Sequence, residues 1–183
     1  LFPYTTLFRS ILSSFAAIAA PEQFKNINDL MENYNDYPTY TVDGKDFPSF
    51  KILSEKPLHI QISPRTLSGS STKDIKYESD KAAIYAAYRT LYQTPSDRVK
   101  VTVLPISITP QPRKVEYMTQ DKYDFSITKK QAMNLLRKHS NILNEDQLMS
   151  ANGEWSTAFE KCCYLEEGKP GLSIFAKELI TQR

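Results

Sequence analysis

Apolar and polar residues alternate in two stretches of the chain, and this period-2 pattern predicts two half-buried strands. The alternation runs over residues 58–62, and three valines repeat it over residues 99–103. After Leu104 and Pro105 the apolar set shifts by one position, so we predict a bulge or kink there. The proline also predicts an edge position, because it cannot donate a hydrogen bond to a neighbouring strand.

Weaker extended patterns and several helical patterns complete the outline. A short extended piece over residues 37–42 leads into a turn at Asp43-Gly44, and residues 115–125 hold one or two further strands. Apolar spacing and start and stop signals predict helices in six segments: 21–35, 74–93, 128–139, 144–147, 155–163 and 172–180.

The order of these elements predicts the fold class. One long helix connects the two strongest strands, and the last third of the chain is helical. We therefore expect an α+β fold with a small mixed or antiparallel sheet and helices packed on one face. Residues 20–183 are predicted to form this single domain, a size that suits one hydrophobic core.

The first nineteen residues are predicted to lie outside the domain. Residues 1–10 resemble the in-frame translation of a common short-read sequencing adapter, so we interpret them as an assembly artefact. Residues 11–19 are small, apolar and uncharged, and Ala17 and Ala19 fit the two subsites of a signal-peptidase cleavage site. We expect this stretch to be a truncated signal-peptide remnant, with an Ala-rich first helix as the alternative.

This interpretation predicts the localisation. If the signal-peptide remnant is real, the protein is exported to the periplasm or secreted; otherwise it is cytoplasmic.

Composition and charge limit the function classes. The chain has 183 residues, of which 40% are hydrophobic, and 23 Lys and Arg stand against 21 Asp and Glu, a net charge of +2. A dedicated nucleic-acid-binding domain is usually strongly basic, so no nucleic-acid partner is expected. No run of 18 or more apolar residues is present, so no stable membrane insertion of the mature chain is expected.

No motif that carries a known reaction is present. The five glycines are scattered, which excludes a phosphate-binding loop and a dinucleotide-binding fingerprint. With two histidines the chain cannot form a multi-histidine metal site. We therefore predict no cofactor, no metal site and no catalytic residue.

The polar side of the first strand is one candidate binding surface. His59, Gln61 and Ser63 alternate with apolar residues, so all three point to the same face. They could line a cleft in which His59 acts as an acid or base, or they could form an ordinary solvated sheet face.

A tyrosine stripe on the long helix is the second candidate. Tyr77, Tyr85, Tyr88 and Tyr92 share one helical face, which usually means a place in the core. Tyrosine keeps one polar end, so Tyr85 and Tyr88 could instead form the rim of a groove that holds a peptide or glycan.

The two cysteines leave a structural question open. Cys162 and Cys163 fall on one apolar helical face, where they suit small buried side chains. Neighbouring residues on an intact helix point about 100° apart, which makes a bond between them geometrically poor. Either the helix breaks to allow a strained disulfide between the two neighbours, or both thiols are buried well enough to stay reduced. A catalytic pair of Cys162 with His139 is a further alternative.

Together these patterns predict a small exported domain that acts by binding a protein or peptide. The alternative is a hydrolase-like enzyme that uses His59 or the Cys162 and His139 pair.

Overall fold

The computed structural model describes residues 20–182, which contain five α-helices and nine strands. The strands are β1 (Thr39–Val42), β2 (Lys45–Pro48), β3 (Phe50–Glu55), β4 (Leu58–Ile62), β5 (Arg65–Leu67), β6 (Arg98–Val103), β7 (Ile106–Thr109), β8 (Lys114–Tyr117) and β9 (Tyr123–Thr128). The helices are α1 (Ile27–Tyr34), α2 (Thr72–Gln93), α3 (Lys129–His139), α4 (Thr157–Phe159) and α5 (Leu172–Ile180). The predictions for residues 1–10 and 11–19 lie outside the described residues.

The strands form three small sheets. The largest has the order β3-β4-β6-β9, in which β4 and β6 are parallel and the outer pairs are antiparallel. A second sheet has the order β5-β7-β8, and β1 and β2 form a hairpin. Asp43 and Gly44, the predicted turn, both have positive φ, as a tight hairpin turn requires. The predicted α+β fold with a small mixed sheet is confirmed.

The parity shift at Leu104 and Pro105 is the point where the chain changes sheets. The Leu104 amide donates to the Ile62 carbonyl at 3.0 Å, and the Ile106 amide donates to the Pro64 carbonyl at 2.9 Å. The parallel pair β4/β6 therefore continues across both prolines into the parallel pair β5/β7.

The predicted edge position at Pro105 is wrong. β6 lies between β4 and β9, and β7 lies between β5 and β8, so neither strand is an edge. Pro105 is tolerated because it stands in the connection between the two strands, where its missing amide leaves no gap in either ladder.

The helices cover one face of the four-stranded sheet. Val99, Val101 and Val103 on β6 are fully buried in one core cluster with side chains of α2, α3 and α5. α2 is buried on all sides from Ala82 to Gln93, because the sheet and two helices enclose it. Its length and position make it the centre of the core.

The predicted helix over residues 155–163 is interrupted. α4 makes a single turn, and residues Glu160–Tyr164 continue as a π turn that contains both cysteines. Cys162 and Cys163 are bonded to each other in a disulfide, and both are buried. Of the two alternatives that the sequence left open, the broken helix with bonded sulfurs is the one present.

Candidate functional site

The face of the four-stranded sheet opposite the helices carries two rows of polar side chains. Strand register aligns one residue from each strand in every row. The first row is Ser54, His59, Lys100 and Ser126, and the second is Lys51, Gln61, Thr102 and Asp124. The predicted residues His59 and Gln61 thus lie side by side with partners that come from three other strands.

A hydrogen-bonded chain runs across this face through Thr102. The Thr102 hydroxyl donates to Asp124 Oδ1 at 2.6 Å. The Thr102 hydroxyl oxygen itself lies 2.8 Å from His59 Nε2. A hydroxyl has one proton to donate, so the second bond must take its proton from the histidine. His59 therefore carries its hydrogen on Nε2, and Nδ1 is the free basic nitrogen of the neutral ring.

The surroundings of His59 favour this neutral form. Partial burial lowers the pKa of His59 below its ordinary value, and the nearby charges of Lys100 and Lys122 lower it further. The Asp124 carboxylate acts in the opposite direction, with an effect smaller than that of burial or of Lys100. His59 is thus a neutral base whose ring orientation is fixed by its hydrogen bond with Thr102.

The hydrogen bonds among His59, Thr102 and Asp124 do not run in the direction found in a catalytic triad. In a triad the nucleophilic hydroxyl donates to the histidine, whereas Thr102 donates away from His59 and is buried. Gln61 and Ser63 are buried as well, and the Gln61 amide donates to Ser63 Oγ at 3.2 Å. The arrangement orients the His59 ring and supplies no activated nucleophile from these residues.

The tyrosines of α2 lie mostly inside the protein. Tyr88 is 0% exposed, and its hydroxyl donates to the Ala132 carbonyl at 3.0 Å, so it has no surface to offer a ligand. Tyr85 is also buried and donates to Asp36 Oδ2 at 2.8 Å. Burial raises the pKa of Tyr85 far above its ordinary value. Both side chains belong to the core rather than to an open groove rim.

Beside Tyr85 lies a buried arginine that the sequence reasoning missed. The Arg89 guanidinium carbon lies 4.0 Å from the Tyr34 ring centre, 4.7 Å from that of Trp155 and 4.9 Å from that of Tyr85. Nη1 donates to the Gly153 carbonyl at 2.8 Å and to Gln93 Oε1 at 2.7 Å. Aromatic faces stabilise such a cation, and a lone arginine in an apolar helical run was the available signal.

The alternative of a catalytic Cys162 and His139 pair lacks a free thiol in this structure. His139 Nε2 lies 3.0 Å from Glu178 Oε2, an oxygen that also accepts from Lys138 at 2.7 Å. The hydrogen bonds from His139 and Lys138 lower the pKa of Glu178. Because Cys162 is bonded to Cys163, it has no thiolate to offer His139 in this form.

An apolar groove lies between α2 and α5. Its volume is about 610 Å³, which lies within the usual range for ligand sites. One wall is a stripe along the start of α2, the other is a stripe along α5, and Asp121 and Tyr123 complete the lining. The apolar lining residues are Ile75, Tyr123, Ile174 and Ile180.

Two features of the groove stand out as suited to binding. Ile174 is 54% exposed, which is high for a large apolar side chain on a helix that packs into the core. Asp80 lies in the α2 wall with its side chain only 3% exposed, in contact with the ammonium group of Lys76. A half-open apolar surface with one embedded charge offers both contact area and a point of selectivity.

Burial disfavours the charged form of Asp80. Burial raises the pKa of Asp80, and the negative charge of Glu166 adds to this effect, while the hydrogen bond from Lys76 opposes it. Next to it, Ser79 is buried too, and its carbonyl accepts a hydrogen bond from the Tyr123 hydroxyl at 3.0 Å. This hydrogen bond links two residues that line the groove, Ser79 on α2 and Tyr123 on β9.

Comparison with known proteins found no matching family model, and no curated protein or solved structure with significant similarity. Between residues 20 and 182, no three His, Cys, Asp or Glu side chains come together as a metal site. In the same part of the chain, none of the helices combines the length and apolar character needed to cross a membrane.

Proposed function

We propose that this domain acts by binding a protein or peptide, and that the groove between α2 and α5 is the binding surface. The observation that carries the proposal is an open apolar cavity of about 610 Å³ between two well-formed helices. The proposed ligand is an apolar peptide segment that lies along the two helices.

The shape of the groove supports a peptide ligand. Its α2 wall is formed by positions 72, 75, 76, 79 and 80, and its α5 wall by positions 173, 174, 177, 180 and 181. Both sets follow the helical repeat, so the groove extends along the helix axes for about two turns. Apolar side chains spaced along a peptide can occupy such a groove in succession.

The charged residues at the groove favour an amphipathic segment over a purely apolar one. Lys76 and Lys177 are exposed at the two walls, and Asp121 also lines the groove. A peptide with one apolar face and one polar face would bury the first face against Ile75 and Ile174 and leave the second in contact with these charges.

The polar sheet face is the weaker candidate for this binding role. His59 is accessible there, but the hydrogen-bonding groups of Gln61, Ser63 and Thr102 are buried and already paired with neighbours. None of these four residues lines the groove between α2 and α5. The hydrolase alternative likewise has no specific observation in its favour.

The test is selection of peptides against the groove. A phage-displayed library of random peptides is panned on the wild-type protein, and selected peptides are synthesised and titrated by fluorescence polarisation. Ile174→Asp places a charge on an exposed groove position and should weaken binding by about tenfold or more, equivalent to about 1.4 kcal/mol.

The matched control is Leu143→Asp. Leu143 is exposed to a similar extent but lies outside the groove, so this variant changes charge and surface apolarity in the same way. It should leave the affinity unchanged. Equal binding to wild type and Ile174→Asp, or no selected peptide at all, would contradict the proposal.

A further inference from the structure

One charged side chain in the groove wall is almost entirely buried. Asp80 lies on α2, and Lys76 one turn earlier is its partner through Oδ2. Among residues 20–182, no donor forms a hydrogen bond to the other carboxylate oxygen, Oδ1. The carboxylate therefore has an open acceptor position beside the apolar lining of the groove.

The existing partner satisfies Asp80 only in part. The Lys76 side chain is 60% exposed, so its ammonium remains hydrated and loses side-chain entropy whenever it holds the carboxylate. A buried carboxylate needs good pairing to offset its desolvation, and one exposed lysine gives weak pairing. The negative charge of Glu166 also acts on Asp80 and disfavours its charged form.

A ligand in the groove changes this balance. An apolar segment that covers Ile75 and Ile174 would exclude water from Asp80 and lower the local dielectric. The incompletely paired negative charge of Asp80 then becomes more costly, unless the same ligand brings a positive charge to Oδ1.

We propose that the peptide bound in this groove carries a lysine or arginine whose charge pairs with Asp80. This inference rests on the proposed function and specifies the ligand as a basic apolar segment. Lys76 then acts as an internal competitor that occupies part of the same carboxylate before the ligand binds.

Two substitutions are expected to change the binding of a basic peptide in different ways. Asp80→Asn removes the charge at nearly constant volume, so it should abolish the preference for a basic residue. Lys76→Gln removes the competitor and its positive charge, so it should raise the affinity for a basic peptide severalfold. As a control, Asp97→Asn removes one negative charge at an exposed position outside the groove. It should change neither the affinity for a basic peptide nor the preference for a basic residue.

The experiment uses the peptides selected on the wild-type chain, each paired with a version in which its basic residue is replaced by glutamine. On wild type the basic version should bind at least tenfold more tightly, and on Asp80→Asn the two versions should bind alike. Since both peptides are compared on the wild-type protein, the test stands even if Asp80→Asn fails to fold.

Equal affinity of the basic and glutamine peptides on wild type would overturn this inference and leave the groove as an apolar binding site. A basic preference that persists in folded Asp80→Asn would also overturn it. Failure of every peptide to bind wild type would overturn the proposed function together with this inference.

Discussion

The central carbon of the Arg89 guanidinium lies 4.0 Å from the centre of the Tyr34 ring. Arg89 is 6% exposed, and among residues 20–182 no carboxylate forms an ion pair with it. Its positive charge is stabilised by aromatic faces and by the Gly153 carbonyl instead. This contact joins α1, α2 and the loop before α4 at one point.

Gly153 is the position where this arrangement leaves no room for a side chain. Its φ is +74°, and an added Cβ would overlap the Tyr34 hydroxyl. We predict that Gly153→Ala lowers the free energy of unfolding by about 2 kcal/mol or more, since backbone strain and overpacking add. Chemical denaturation measures the change.

Gly69→Ala provides the control for this prediction. Gly69 also has positive φ, at +85°, but no atom lies within 4 Å of an added Cβ. Only the backbone cost, about 1 kcal/mol, is expected there. Equal destabilisation by the two variants would show that the contact with Tyr34 contributes nothing.

The second prediction concerns the hydrogen-bonded chain on the sheet. We expect the His59 ring to titrate below its ordinary pKa of about 6.5 and its neutral form to carry the proton on Nε2. Nitrogen NMR of the histidine ring measures both. In Thr102→Val the hydroxyl is lost, so the Nε2 tautomer should be less strongly favoured than in the wild type. A dominant Nδ1-protonated form in the wild type would contradict the assignment.

The third prediction is a pH dependence of stability caused by Asp80. Burial raises its folded-state pKa above the ordinary value of 3.8, so between the two pKa values the folded chain binds more protons than the unfolded chain. The contribution of Asp80 to stability therefore falls as the pH rises through this interval. Asp80→Asn lacks that term.

Denaturation curves for wild type and Asp80→Asn across the acidic range test the sign. The difference in unfolding free energy, Asp80→Asn minus wild type, should increase with pH over the interval and then level off. A difference that decreases with pH would mean that Lys76 lowers the Asp80 pKa more than burial raises it.

The main elements of the fold were predictable because their patterns are strong. The valine alternation of β6 and the apolar run of α2 reflect burial that only one secondary structure can satisfy. The reversal at Leu104 and Pro105 also indicated a change in the strand path. The edge assignment failed because a proline between two sheets looks like a proline at a sheet edge when only the sequence is known.

The strand β3 was not predicted, for a local reason. Alternation begins at Phe50 and Ile52, but a register shift before Ser54 breaks it. Leu53 is partly exposed at that irregularity, so its apolar character misrepresents the burial pattern.

The groove could not be predicted from the sequence, because it depends on how two distant helices pack. Asp80 and Ile174 are separated by more than ninety positions, and each looks ordinary on its own helix. Of the predicted site residues, His59 and Gln61 lie on one face as the alternation required, while Tyr85 and Tyr88 lie in the core. Local periodicity predicts which face is apolar, but tertiary packing decides which apolar face remains open.

The most direct test of the account is the location of peptide binding on the protein. Backbone amide NMR is recorded on the labelled protein during titration with a peptide selected on the wild type. The account predicts saturable shifts that cluster at positions 72–80 of α2 and 173–181 of α5, with Ile174 among the largest. Shifts centred on His59 and Thr102, with the groove amides unchanged, would contradict it.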